Sequence, residues 1–192
     1  MSAQWSDAAL KVGIALAAPL LLKWLERFGM PSDAVADTKC IALATFDNHY
    51  VRANPHDGRI LFTDRLGDSE KFKVAKPKKP NAIRPSRRLR YGSRIALFAK
   101  SPERFVAADR EHDWKLGARV RWADPAQGAV FTIVGENGGV FWPPLGLRYG
   151  DRFALRAANK KLVSFKNGSE GELVATAVNK PTQWEVFSFL SP

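Results

Sequence analysis

Cys40-Ile41-Ala42-Leu43-Ala44, Arg94-Ile95-Ala96-Leu97-Phe98 and Arg152-Phe153-Ala154-Leu155-Arg156 carry a large-Ala-Leu triplet three times, at a period of roughly 55 residues. In each triplet the two large apolar residues stand two apart. That spacing puts them on one face of a strand and the intervening alanine on the other.

Two further matches follow every triplet in the same order. The first is Tyr50-Val51, Phe105-Val106 and Leu162-Val163; the second is Phe72-Lys73-Val74, Phe131-Thr132-Ile133 and Trp184-Glu185-Val186. Between them each unit holds another apolar stretch, at Ile60-Leu61-Phe62, Val120-Arg121-Trp122 and Leu173-Val174-Ala175. Each unit is therefore predicted to supply four short strands. Asp57-Gly58 and Asn167-Gly168 are favourable hairpin dipeptides between strands, and Glu111-His112-Asp113 takes that place in the second unit. A unit with one exposed apolar face must find its core by closing with its sister copies. Threefold closure predicts an all-β fold, a β-trefoil of three four-stranded repeats over 32–192, with repeats at about 38–76, 91–135 and 149–190. A β-sandwich with merely similar strands is the competing architecture; three matches recurring in order favour the trefoil.

This pattern resembles the fascin-like, actin-crosslinking-type branch of the β-trefoil superfamily. Its units open on Gly followed by Leu-Arg, continue through Lys-Tyr-Val and close on Phe-x-Val. The stretches that carry the resemblance are Tyr149-Gly150-Asp151-Arg152-Phe153-Ala154-Leu155-Arg156-Ala157 and Asn159-Lys160-Lys161-Leu162-Val163-Ser164, with the opening repeated at Tyr91-Gly92-Ser93-Arg94-Ile95-Ala96-Leu97. The resemblance spans about 38–190 and implies a binding module. It implies no actin bundling, which needs several such domains in tandem. Ricin-type trefoil lectins close their repeats on Gln-x-Trp, whereas here Gln183 and Trp184 are adjacent and the other units have Phe, so a sugar site of that type is not implied.

Residues 1–31 differ from the rest. Apolar residues crowd there without a period of two, Ser6-Asp7 offers a helix start, and Gly29 followed by Pro31 offers a stop. The expectation is one N-terminal α-helix, kinked at Pro19, with Trp5, Val12, Leu16, Leu20, Trp24 and Leu25 facing lipid or a partner. Its uncharged run, Val12 to Leu22, would make about 16 Å of helix against roughly 30 Å of hydrocarbon. That falls well short of a span unless Lys11 and Lys23 snorkel, while the whole stretch from Ala8 to Leu25, about 27 Å as helix, is marginal; Asp7 with no preceding Lys or Arg argues against a signal peptide.

The chain has 192 residues and a net charge of +11, which favours anionic partners. Much of that charge sits in 76–90, KPKKPNAIRPSRRLR, which has three lysines, four arginines and no acid. Its prolines predict an extended loop, and Lys76, Lys78, Lys79, Arg84, Arg87, Arg88 and Arg90 are the candidate anion-binding residues. No aromatic interleaves them, which disfavours base stacking on single-stranded nucleic acid. Phe141 and Trp142, beside Pro143 and Pro144, are the candidate protein-docking residues.

No catalytic constellation is legible. His49, His56 and His112 lack partners at metal-ligand spacing, Cys40 reads as a small buried hydrophobe, and no nucleophile elbow or phosphate loop occurs. The sequence predicts no enzyme, no cofactor and no metal. The expected function is a binding or adaptor module, attached through its N-terminal helix to a membrane or a larger protein assembly and recognising a protein or glycan partner. The alternatives are a membrane-active toxin or effector and nucleic-acid binding through 76–90, and an acidic membrane surface is a further partner for the basic loop.

Overall fold

The computed structural model describes residues 40–75, 77, 88–137, 139, 146–166, 171–177 and 180–192. The strands are β1 (Cys40–Thr45), β2 (Tyr50–Ala53), β3 (Ile60–Thr63), β4 (Lys71–Ala75), β5 (Arg94–Ala99), β6 (Arg104–Asp109), β7 (Lys115–Val120), β8 (Phe131–Gly135), β9 (Arg152–Arg156), β10 (Leu162–Lys166), β11 (Glu172–Ala177) and β12 (Phe187–Leu190). Every pairing between them is antiparallel.

The three large-Ala-Leu triplets lie in β1, β5 and β9. Ile41 and Leu43, Ile95 and Leu97, and Phe153 and Leu155 all enter one shared core, with Phe72, Phe131, Phe187 and Phe189. Ala154, between Phe153 and Leu155, packs instead with Val134 and Leu162 in a second cluster, as the period of two requires. β1 pairs with β4 and β12, β4 with β5, β5 with β8, β8 with β9, and β9 with β12, so these strands form a ring. The β2–β3, β6–β7 and β10–β11 hairpins join the same hydrogen-bonded network.

The expected fascin-like β-trefoil of three four-stranded repeats, preceded by an N-terminal helix, is therefore corrected to an all-β closed barrel. Hydrogen bonding runs through all twelve strands as one sheet, and the first and last strands of each expected unit pair with strands of its neighbours. The physical reason is that pairing between the units, β4 with β5, β8 with β9 and β12 with β1, merges their edges into one continuous hydrogen-bonded sheet. The helix over 1–31, with Trp5, Val12, Leu16, Leu20, Trp24 and Leu25, lies outside the described residues.

Two local expectations also change. Val120 is the last residue of β7, and Trp122 beyond it is 74% exposed. Trp184 and Glu185 belong to a 3-10 turn, Gln183–Glu185, so the final strand begins at Phe187. A capping box makes that turn: the Thr182 amide and hydroxyl both donate to Glu185 Oε2, at 2.7 and 2.6 Å, and the Trp184 amide donates to Thr182 Oγ1. Glu185 is buried, and these bonds satisfy its carboxylate.

Candidate functional site

A cleft of 610 Å³ opens beside the β2–β3 hairpin, lined by Asp47, His49, Asn54, Asp57, Arg59, Leu61, Phe62, Phe165, Gly171 and Trp184. Its residues come from the first and third sequence units. Three rings make one wall. Phe62 meets Phe165 edge-on with centroids 4.3 Å apart, and Phe165 lies 5.7 Å from Trp184. Trp184 is braced from another side by Phe46, centroid to centroid 5.0 Å. Gly171 lets Phe62 and Phe165 approach, since a Cβ there would stand 2.9 Å from Phe62 Cδ2 and 3.2 Å from Phe165 Cε2.

The rest of the lining is mostly polar. The His49 ring lies between two carboxylates, with Nδ1 3.0 Å from Asp47 Oδ2 and Nε2 3.0 Å from Asp64 Oδ1. Asp57 accepts from the Arg59 amide at 2.9 Å and faces Arg59 Nε at 3.4 Å. The turn that presents this pair is held by the Gly58 amide on the Asn54 carbonyl and the His56 amide on Asn54 Oδ1.

Burial pushes the Asp47 carboxyl up, but hydrogen bonds from Thr45 Oγ1 and His49, together with the His49 charge, outweigh it and hold the group below its ordinary value of 3.8. Asp109, between His112 Nδ1 at 2.7 Å and Arg119 at 3.3 Å, is lowered on balance too; there burial is outweighed by the Glu111 amide, His112 and Arg119. A carboxyl depressed by folding contributes stability that is complete above its unfolded value and is lost as pH falls through its folded value. Urea melts are therefore expected to show stability falling below about pH 4. The Asp47→Asn/Asp109→Asn variant should lose less than the parent chain between about pH 5 and pH 2.5, and an equal loss in both would show that other groups set the acid limit.

A second, smaller cleft of 400 Å³ adjoins the β6–β7 hairpin, with Asp109, Glu111, Trp114 and Arg119 among its lining residues and Ala107, Ala108, Gly117 and Gly128 leaving it smooth. Among the described residues, no group of three or more His, Cys, Asp and Glu side chains is arranged to hold a metal ion.

Of the predicted anion-binding residues, Arg88 is half-buried and Arg90 exposed; Lys76, Lys78, Lys79, Arg84 and Arg87 lie outside the described residues, as do Phe141 and Trp142. Cys40 is half-buried at the start of β1. Sequence spacing gives His49 no metal-ligand partner. It is 44% exposed and sits in the cleft. His49 meets Asp64 through the pairing of β2 with β3, and Trp184 joins the same cleft lining from the third unit.

An all-β closed barrel bearing an aromatic-walled cleft is what fold and site define. No protein-family model matches the chain, and no curated protein matches it in sequence. Among solved structures it is similar to a Caenorhabditis elegans protein of unknown function, with a TM-score of 0.66 at 10% identity, over 85% of this chain and 99% of that one. It is also similar to the SDF2-like protein from Arabidopsis thaliana, with a TM-score of 0.62 at 10% identity, over 81% of this chain and 94% of that one. At such identity the likeness concerns the fold alone. The expected kinship with fascin-like proteins is corrected accordingly, because its motifs report core and turn positions that unrelated chains of this architecture can share.

Proposed function

We propose that the chain is a non-enzymatic binding module whose larger cleft takes up a glycan. The observation that carries this reading is that one cleft is lined both by the clustered rings of Phe62, Phe165 and Trp184 and by the planar polar side chains of Asp47, His49, Asn54, Asp57 and Arg59. A sugar ring offers an apolar C–H face that lies well on aromatic faces, and hydroxyls that pair with planar carboxylate, amide and guanidinium groups. The cleft is within the size range of small-ligand sites. Its charges are paired, His49 with Asp47 and Asp64 and Arg59 with Asp57, which suits a neutral polyol better than an ion. In this reading residues 1–31 attach the module to a membrane or assembly.

The test is calorimetric titration of the full chain against a panel of neutral oligosaccharides. Binding to at least one member is expected. Asp57→Ala should weaken it by 10-fold or more, on the order of 1–3 kcal/mol for a hydrogen bond to a charged group, with little change in melting temperature. Trp184→Ala should weaken it similarly and also cost some stability through its contact with Phe46. No binding across the panel would overturn the glycan reading, and cleavage of a panel member would overturn the non-enzymatic one.

A further inference from the structure

The sequence Leu-Arg-Tyr-Gly, followed by Ser or Asp and then Arg, occurs twice, at 89–94 and 147–152. Both copies form the same turn. The Arg90 amide donates to Ser93 Oγ at 3.0 Å and the Ser93 amide to the Arg90 carbonyl at 2.9 Å. In the second copy the Arg148 amide donates to Asp151 Oδ2 at 2.9 Å and the Asp151 amide to the Arg148 carbonyl at 3.2 Å. Gly92 and Gly150 take φ of 87° and 83°, and their amides tie the turns to the Ile133 and Phe189 carbonyls. Leu89 and Leu147 are fully buried beneath them.

The two turns lie side by side. Arg90 and Gly146 form an antiparallel bridge, the Leu147 amide donates to the Leu89 carbonyl at 2.8 Å, and the Tyr91 hydroxyl donates to the Arg152 carbonyl at 3.0 Å. β5 and β9 are both antiparallel to β8 and so run the same way, which sets their first residues, Arg94 and Arg152, at one end of the barrel. β1 also runs that way, being antiparallel to β12 as β9 is, and Asp47 and His49 follow its last residue. The turns and the glycan cleft therefore occupy opposite ends.

Arg90, Arg94 and Arg152 are exposed and Arg148 is half-buried. Facing them are two acids: Glu136, 3.5 Å from Arg152 Nε, and Asp151, which accepts from the Arg148 amide. We infer that this end of the barrel is a cationic docking face for an acidic lipid bilayer. A bilayer fits better than single-stranded nucleic acid because Tyr91 and Tyr149 pack on the core and so offer no stacking platform between the arginines.

The experiment is partition of the full chain onto phosphatidylcholine vesicles with and without phosphatidylserine, comparing two triple variants of equal charge loss. Arg90→Gln/Arg94→Gln/Arg152→Gln removes the face. Lys100→Gln/Lys160→Gln/Lys161→Gln removes exposed charge beyond the far ends of β5 and β9. At about 1 kcal/mol for each basic residue near an anionic surface, the arginine triple should bind phosphatidylserine vesicles about 100-fold more weakly, and the lysine triple should stay within about threefold of the parent. Should circular dichroism show the arginine triple unfolded, Arg94→Gln alone should cost about fivefold. Equal weakening by both triples, no weakening by either, or loss of single-stranded RNA binding with vesicle binding intact would each overturn the inference.

Discussion

Phe153→Ala is expected to destabilise the barrel by about 3–5 kcal/mol, the range for an aromatic ring removed from a packed core. Phe153 has no solvent-exposed surface, stands opposite Phe187 in the β9–β12 register, and lies 4.4 Å from Phe189, centroid to centroid. Removing the ring leaves a void where β9 meets β12, and these are ring strands, so the surrounding sheet cannot collapse into it without breaking registers on both sides. Denaturant melts monitored by tryptophan fluorescence would measure the loss. Trp122→Ala is the reference: a side chain 74% exposed should change stability by no more than about 0.5 kcal/mol. Comparable losses in the two variants would show that the barrel interior is not where stability resides.

Gly128→Ala should be nearly as damaging, at about 2–4 kcal/mol, for a backbone reason. Gly128 closes the 3-10 turn Pro125–Gln127 at φ 73°, a region that costs any residue with a Cβ. The turn also presses against β6, where the Ala108 amide donates to the Gly128 carbonyl at 3.2 Å. A Cβ at 128 would stand 2.3 Å from the Ala108 carbonyl oxygen, so backbone must move. Gly139, where an added Cβ meets nothing within 4 Å, is the control. A melting temperature for Gly128→Ala equal to that of Gly139→Ala would refute the close approach. Because Gly128 lines the smaller cleft, the same substitution should distort that surface while leaving the larger cleft unchanged.

Strand positions were legible because alternation is local: the residues two apart in each triplet are the ones that reach the core of β1, β5 and β9. The misreadings have local causes as well. Val120-Arg121-Trp122 has β-favouring residues, but the β6–β7 register ends with Val120 opposite Phe105, and Trp122 beyond it is exposed. Trp184-Glu185-Val186 resembles its sister strands in composition, yet Thr182 and Glu185 cap each other and bend the chain first. The Asp57-Gly58 turn was visible as a dipeptide. Its use was not, since Gly58 is pressed against Ala118, with the Ala118 amide donating to the Gly58 carbonyl at 2.7 Å.

What the sequence by itself determined is an all-β chain with apolar residues recurring at a long period, a strongly basic segment at 76–90 and no recognisable catalytic motif. Tertiary structure decided the rest. How the strands close depends on which edges hydrogen-bond, and those pairings join residues far apart in the chain, such as Ala42 with Leu190. The cleft is of the same kind: Phe62 and Phe165 touch across the first and third units, and His49 meets Asp64 only because the β2–β3 hairpin folds back beside β1. The twin arginine turns were present in the sequence as a repeated hexapeptide. Only the parallel course of β5 and β9 places them on one surface, because the direction of a strand is set by the partner it pairs with and not by its own residues.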